Sequence, residues 1–380
     1  MAASRHLHLT RISTTLFRNI SVIRSNCKSV TCRNYHRTVT KSTEITYRKY
    51  GDPRQVLESN TVDVSNSVQP NEVLVKMLMA PVNPSDINMV EGTYFIRPSL
   101  PAFVGNEGVG EVVNKGSDVS ALEIGDRVIP RDSGFGTWRS YAVSRVSDLM
   151  KIAKDIQPLA GATISVNPCS AYRMLKDYVT LQPGDYIIQN GANSSVGQCV
   201  IQLARQWGIK TINIVRNRTE IEDLKTYLKS IGADHVITEE FCRTPEMKPL
   251  LKSLRNAPKL ALNCVGGKSS TELLRCLAPG GTMVTYGGMS KQPVIIPTGT
   301  LIFKEIRLVG YWNTQWNKNN VDNAERNNMF LDLCDLIRSN KLLPPKCQFV
   351  PISQFQKAVT TAMEGFKSEK QILVMDESLL

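Results

Sequence analysis

The sequence predicts an α/β protein in which a β-rich, turn-rich part leads into a parallel sheet covered on both faces by helices. Three observations carry this. Up to about residue 150, short alternating runs such as Glu72–Leu78 are separated by clusters of Gly, Pro, Asn and Asp, the pattern of strands joined by turns. Beyond about residue 180, short apolar runs alternate with segments of helical spacing, the order of a doubly wound parallel sheet. Between them, Gln182 to Arg218 (QPGDYIIQNGANSSVGQCVIQLARQWGIKTINIVRNR) reads as one complete strand, turn, helix and strand.

In chain order, residues 44 to about 70 read as irregular strands. Glu72–Leu78 is a strand, Ala80–Asp86 a turn-rich loop, and Asp86–Gly92 one or two helical turns. Thr93–Pro101 is a loop carrying Tyr94 and Arg97. Gly105–Gly110 opens a strand through Val113, and Gly125-Asp126 turns into Arg127–Pro130. Ser140–Val143 is a further strand, and Leu159–Ala162 and Ala171–Leu175 are helical. After the central unit, Glu220–Ile231 is a helix stopped by Gly232, and Val236–Thr238, Leu260–Cys264 and Thr282–Tyr286 are strands. Ser269–Leu277 is a helix before Pro279-Gly280-Gly281. Ile306–Val309 is a strand, Met329–Ser339 and Phe355–Met363 are amphipathic helices, and Gln371–Met375 is the last strand.

The chain has 380 residues, 42% hydrophobic, and a net charge of +12. That charge is unevenly placed. Residues 1–43 hold eight basic side chains and no acid, and taking those eight away leaves +4 for the rest. The leader is rich in Ser, Thr and Arg, with Leu9, Ile12 and Leu16 at helical spacing, the composition of a mitochondrial transit peptide. A nucleic-acid-binding arm is the competing reading, but its cations would be expected in a block. No run of 18 apolar residues exists, so no membrane span is expected. Nine cysteines include no C-x-x-C pair, and of four histidines only His235 lies outside the leader. Zinc chemistry and a histidine base both lack material.

The central turn, Gly191 to Gly197, places Asn193, Ser194, Ser195 and Val196 where a helix N-terminus would meet a pyrophosphate. It lacks the G-x-G-x-x-G pattern, so the match alone is weak, and an ordinary βα turn is the lesser alternative because strand and helix flank the turn as required. The next strand end decides more. An NAD site places an acid there to bond the ribose 2′-hydroxyl. Here the strand ends in Arg216-Asn217-Arg218. Two guanidiniums attract a 2′-phosphate and bond it in a fork, which points to NADPH. The alternatives are a solvated surface pair, or a ribose anchor at Glu220 or Glu222 if the strand ends later.

Asn83-Pro84-Ser85-Asp86, Gly105–Gly110 (GNEGVG), Gly125–Val128, Pro183-Gly184-Asp185 and Gly191–Gly197 fall in the order seen in medium-chain dehydrogenases/reductases, and the resemblance runs from Glu44 to the end. It implies a GroES-like β-rich catalytic domain interrupted by a Rossmann domain: 44–165 first part, 166–310 Rossmann, 311–380 return. Asn106 stands where the zinc branch carries histidine, and that branch's ligand and structural cysteines are missing, so the zinc-free branch is implied. Within it, Asn83–Tyr94 (NPSDINMVEGTY), Asn167–Leu175 (NPCSAYRML), Tyr286–Met289 (YGGM) and Gly310–Trp312 (GYW) resemble the mitochondrial trans-2-enoyl thioester reductases of fatty acid synthesis.

The resemblance implies NADPH-dependent reduction of an enoyl thioester carried by acyl carrier protein or CoA, in the mitochondrial matrix, by a homodimer whose Rossmann sheets join edge to edge. It makes Tyr94 the catalytic tyrosine. It makes Asn167, Asn193–Val196, Arg216–Arg218, Tyr286, Gly287, Gly288, Met289, Tyr311, Trp312, Asn313 and Lys370 cofactor contacts. Ser195 and Phe95 depart from the Gly or Ala, and the Gly, usual in relatives. Tyrosine suits the step: hydride addition to the β-carbon builds charge on the thioester oxygen, and a phenol, with an ordinary pKa of about 10, keeps its proton at neutral pH. Trp312, Trp316 and Tyr311 are candidates for an apolar acyl slot. Glu107 is a candidate base, or a structural carboxylate held by donors. Arg97, Lys318 and Arg326 are candidates for steering an acidic carrier. A zinc-free quinone oxidoreductase, and an NADPH-binding protein without turnover, stand as alternatives.

Overall fold

The computed structural model describes residues 39–321, 323–364 and 369–380. The targeting segment read at residues 1–43 lies outside them up to residue 38. The first part runs β1 (Val39–Tyr47), α1 (Pro53–Val56), β2 (Leu57–Ser65), β3 (Glu72–Pro81), α2 (Pro84–Glu91), β4 (Ala102–Phe103), β5 (Val109–Lys115), β6 (Arg127–Pro130), β7 (Tyr141–Arg145) and β8 (Leu149–Ile152). The middle runs α3 (Pro158–Thr163), α4 (Asn167–Asp177), β9 (Tyr186–Gln189), α5 (Ser195–Gln206), β10 (Lys210–Val215), α6 (Ile221–Ser230), β11 (His235–Thr238), α7 (Met247–Ser253), β12 (Leu260–Asn263), α8 (Gly267–Cys276), β13 (Thr282–Thr285), α9 (Thr298–Lys304) and β14 (Arg307–Gly310). The chain ends with α10 (Asn313–Asn319), α11 (Ala324–Arg338), β15 (Cys347–Pro351), α12 (Phe355–Met363) and β16 (Lys370–Val374).

The strand at the start corrects the expected domain boundary. β1 and β2 pair antiparallel from Val39↔Ser65 to Tyr47↔Leu57, as a regular ladder rather than irregular strands. Ser42 is fully buried and accepts a bond from the Tyr141 amide at 3.1 Å, and the Ser140 amide donates to the Thr43 carbonyl at 2.8 Å. Val39–Thr43 therefore belongs to the fold, and a boundary after residue 43 falls inside β1. Both strands are Thr- and Ser-rich, so their alternation of apolar and polar residues is faint.

β10 pairs on one side with β11 and on the other with β9, and the six-stranded sheet runs β11-β10-β9-β12-β13-β14, all parallel. Successive residues of β9 face opposite layers. Ile187 joins a core with Leu175, Val200, Leu203, Met329 and Leu333, while Ile188 joins Ile212, Leu273 and Leu274 on the other face. This is the period of two that a strand buried on both sides requires. The order reverses between β9 and β12, so a crevice opens there at the carboxyl ends of the strands.

β16 pairs antiparallel with β3 (Leu373↔Ala80), and β15 extends it, so the C-terminal segment returns to the first sheet, β15-β16-β3-β5-β6-β8. The parallel-sheet domain is thus an insertion. Helix α11 starts five residues before the expected Met329 because Asn323 caps it, its side chain accepting from the Glu325 amide at 2.9 Å. Its Met329 and Leu333 belong to a core that takes in α4 and α5 on one side and Ile372 and Val374 of β16 on the other.

Candidate active site

The turn between β9 and α5 is set by two glycines. Gly191 leaves β9 with φ +57°, and a Cβ there would lie 2.5 Å from the Cys264 sulfur. A Cβ on Gly197 would meet the Ala192 carbonyl at 2.5 Å, so only glycine lets the turn and the first turn of α5 approach this closely. Ser194 caps α5, its hydroxyl accepting from the Gly197 amide at 3.1 Å, and Gln198 ties the Asn193 carbonyl at 2.9 Å. Ser195 is the first residue of the helix and is half-buried, as are Asn193 and Val196. The N-terminus of a twelve-residue helix therefore points into the crevice, the arrangement that holds an anion.

β10 ends at Val215, as the sequence suggests, so Arg216, Asn217 and Arg218 stand at its carboxyl end. Arg216 and Asn217 are exposed, Arg218 is half-buried, and the Arg218 amide donates to the Asn217 side chain at 3.0 Å. Burial, together with the positive charge of Arg216, pushes the Arg218 guanidinium down, against the charge of Glu220. Of the two acids offered as a ribose anchor, Glu222 lies on α6 and pairs with Lys225 at 2.8 Å, and Glu220 stands just before that helix, where its charge acts on Arg218.

At the other end of the crevice, β14 delivers Tyr311, Trp312 and Asn313. Tyr311 is buried and donates its hydroxyl to the Asn313 side-chain oxygen at 2.9 Å, while the Asn313 side-chain nitrogen donates to the Ser165 carbonyl at 3.1 Å. Asn167, the first residue of α4, is buried, and among the described residues its side-chain nitrogen has no hydrogen-bond partner. A buried donor left in this way costs free energy unless a ligand oxygen meets it, which fits a carboxamide-bearing cofactor. Tyr286 and Gly287 are half-buried at the end of β13, and Gly288 and Met289 are exposed beyond it.

Tyr94 is brought here by α2. Pro84 opens that helix, and the Asn83 amide donates to Asp86 at 2.8 Å. Gly92 ends it at φ +73°, and the Thr93 and Tyr94 amides both donate to the Asn88 carbonyl, at 2.9 and 3.0 Å. The half-buried Tyr94 then meets Trp312, whose indole nitrogen donates to the phenol oxygen at 2.7 Å with the rings edge to face. The two residues lie 218 positions apart, so no local pattern announces the contact. Phe95 is 85% exposed and sets its ring against Trp312 as well, at 5.3 Å.

Beneath these groups lies a buried polar network. Glu107 accepts from the Asn83 side chain at 2.9 Å, the Val166 amide at 2.8 Å and the Ser165 hydroxyl at 3.3 Å. Lys370 donates to the other end of the Asn83 amide at 2.6 Å. Asp86 accepts from the Asn106 amide and side chain at 2.9 and 2.7 Å. Burial pushes Asp86 up to about 7 against these donors, raises Glu107 against the charge of Lys370, and lowers Lys370 against the two acids. Glu107 is thus the donor-held carboxylate that its sequence context allowed.

Two expectations are corrected. Arg326 is 2% exposed and donates to the Arg131 carbonyl, so it is no surface steering charge; Arg97 and Lys318 are exposed. Trp316 packs against the core with the Arg173 guanidinium 4.4 Å above its ring, so of the three aromatic candidates for an acyl slot only Trp312 faces Tyr94. Among the described residues no group of three or more His, Cys, Asp or Glu is arranged to hold a metal, and no helix is long and apolar enough to cross a membrane.

Two family descriptions match the chain: "Alcohol dehydrogenase GroES-like domain" over residues 69–154 and "Zinc-binding dehydrogenase" over residues 195–326. The chain is similar to the mitochondrial enoyl-[acyl-carrier-protein] reductase of Xenopus tropicalis, 54% identical over 333 residues, covering 87% of this chain and 95% of the relative. It is 52% identical to the Homo sapiens protein of the same description over 331 residues, 87% of this chain and 88% of the relative. A solved structure of Etr1p with NADP and crotonyl-CoA superposes with a TM-score of 0.83 at 37% identity, covering 88% of this chain and all of the other.

Proposed function

The chain belongs to the family of mitochondrial enoyl-[acyl-carrier-protein] reductases, on the zinc-free branch of the medium-chain dehydrogenases/reductases, and we propose that Tyr94 carries the proton side of its reaction. It is an NADPH-dependent enoyl thioester reductase of mitochondria.

The observation that carries the Tyr94 assignment is the 2.7 Å bond from the Trp312 indole to its oxygen. A phenol oxygen that accepts one bond still has its own hydroxyl hydrogen to donate, so the Trp312 contact fixes the ring without using up the donor. Bound NADPH supplies a hydride to the β-carbon of the enoyl thioester. Negative charge then develops on the thioester oxygen. The Tyr94 hydroxyl donates a hydrogen bond to that oxygen, and the proton passes to the α-carbon directly or by way of the enolate. Asn193–Val196 would hold the pyrophosphate, Arg216–Arg218 the 2′-phosphate, Asn167 the nicotinamide end, and Tyr286–Met289, Tyr311–Asn313 and Lys370 further parts of the cofactor.

The same reading extends to partners and place. The acyl group arrives on acyl carrier protein or CoA, with Arg97 and Lys318 offering exposed positive charge to an acidic carrier. β14 is the edge of the six-stranded sheet, and the neighbouring α9 exposes Leu301, Ile302 and Phe303 at 41, 62 and 83%. Such an apolar edge is suited to a second copy, giving a homodimer. The basic leader directs the chain to the matrix, with cleavage before Val39, because a later cut removes buried strand.

The test is NADPH oxidation with trans-2-enoyl-CoA and, in parallel, a quinone. The reading expects turnover on the enoyl substrate and its loss in Tyr94→Phe with NADPH affinity kept. Turnover on the quinone that survives Tyr94→Phe, with none on the thioester, would sink it.

A further inference from the structure

Glu107 sits where several segments meet. Its carboxylate binds the Asn83 side chain on the loop before α2 and the Ser165 and Val166 donors before α4. Thr137 holds its carbonyl at 2.7 Å. Through the two ends of the Asn83 amide it reaches Lys370 at the start of β16. Through Ser165, whose carbonyl takes the Asn313 amide, it reaches the segment that carries Trp312. The next residue after Val166 is Asn167, with its unpartnered buried nitrogen.

We infer that Glu107 is a positioning residue for cofactor binding: it fixes Lys370, through Asn83, and Asn167, through Val166, in the orientation that meets the nicotinamide half of the cofactor. The inference rests on the reading of Lys370 and Asn167 as cofactor contacts. Donor and acceptor order fixes the arrangement. Asn83 has one oxygen and one amino group. The Lys370 ammonium donates only, so it takes the oxygen, and the amino group must then find an acceptor. Glu107 is that acceptor. Because the carboxylate is acceptor-only and buried, it forces Asn83 into one of its two flips. The Lys370 head is thereby aimed by a carboxylate that it does not touch. No merely apolar residue of the same volume reproduces this ordering.

The chemistry prescribes its own test. In Glu107→Gln one amino group confronts another donor, from Asn83 or from Val166, and the ordering is lost. In Asn83→Asp two carboxylates face each other. In the double variant Asn83→Asp/Glu107→Gln every hydrogen bond is restored. The carboxylate introduced at position 83 would accept from Lys370 and from the amino group introduced at position 107. The amide oxygen at position 107 would accept from Val166 and Ser165, with the net charge unchanged. NADPH dissociation constants are measured by quenching of protein fluorescence, alongside thermal unfolding of the cofactor-free proteins and the separate kcat and KM values. The expected result is a roughly tenfold or greater loss of NADPH affinity in each single variant and recovery to within about threefold in the transposed pair. Affinity in Glu107→Gln equal to wild type, or a pair no better than its singles, overturns the inference. If Glu107→Gln does not fold, the pair alone decides by the same standard, within about threefold of wild type or worse by about tenfold. Lys370→Ala separates the underlying reading. If it binds NADPH as wild type does, Lys370 is no cofactor contact and the inference goes with it. If it binds weakly while Glu107→Gln does not, the inference fails alone.

Discussion

At the scale of single residues, the site is a set of side chains whose partners lie far away in sequence. Tyr94 is legible as a candidate only in the company of Asn83–Gly92, because a lone loop tyrosine has no distinguishing pattern. Its partner Trp312 is 218 positions distant, and the Glu107–Asn83–Lys370 chain spans more, so neither arrangement has a local signature. Arg216 and Arg218 are different: they follow a strand by one and three positions, and strand ends are readable. General acid assistance is worth roughly 10²–10⁴-fold, so Tyr94→Phe is expected to lower kcat/KM on enoyl-CoA within that range. NADPH affinity, read by fluorescence, should stay unchanged. Arg216→Ala/Arg218→Ala should lose most of the preference for NADPH over NADH, since charge-assisted bonds are worth about 1.5–3 kcal/mol each; competitive binding of the two cofactors measures it. Asp86 gives a pH prediction. Its folded pKa, pushed up to about 7 by burial, exceeds the ordinary value of 3.8. Between those values the folded state keeps a proton that the unfolded chain releases, so this group's contribution to stability falls as pH rises from about 4 to 7 and is flat above. Denaturant unfolding across that range should show the decline in wild type, and a shallower one in Asp86→Asn.

At the scale of elements, the βαβ unit is the part the sequence declares most clearly. Its strands are buried on both faces and carry Ile187, Ile188, Ile212, Ile214 and Val215, with Thr211 and Asn213 among the buried polar exceptions, its helix has a long apolar stripe, and its turn is confined by Gly191 and Gly197. Elements that lack apolar periodicity escape: α10 reads NTQWNKN with one aromatic, and the first turn of α11 is wholly polar apart from Ala324. β1 escapes in part for a related reason, since Thr and Ser occupy both of its faces. Its early start gives a test. A protein beginning at Glu44 loses the rungs from Val39↔Ser65 to Thr43↔Thr61 and the buried Ser42, and should melt several °C below one beginning at residue 38. Equal melting temperatures would show that the first five residues of β1 contribute nothing. In the phosphate loop, Gly197→Ala must push a methyl carbon against the Ala192 carbonyl, so it should weaken NADPH binding while leaving the other domain's core intact.

At the scale of the whole molecule, the insertion of one domain in another is set by β16 pairing with β3, a contact between segments about three hundred residues apart. Periodicity registers each strand but not which strands meet. That topology is legible through the family resemblance alone. The same holds for association: α9 shows no clear helical stripe, and its exposed Ile302 and Phe303 acquire meaning only beside the open edge β14. Phe303→Glu is expected to shift the protein from dimer to monomer in sedimentation velocity. Hydride transfer from NADPH to the β-carbon is open to one direct measurement. NADPH carrying deuterium at both C4 positions is turned over with a trans-2-enoyl-CoA, and the product is examined by mass spectrometry and NMR. Deuterium at the β-carbon, with the α-hydrogen drawn from solvent, is the result expected. Consumption of the cofactor with no label in the acyl chain, or label at the α-carbon, would contradict it.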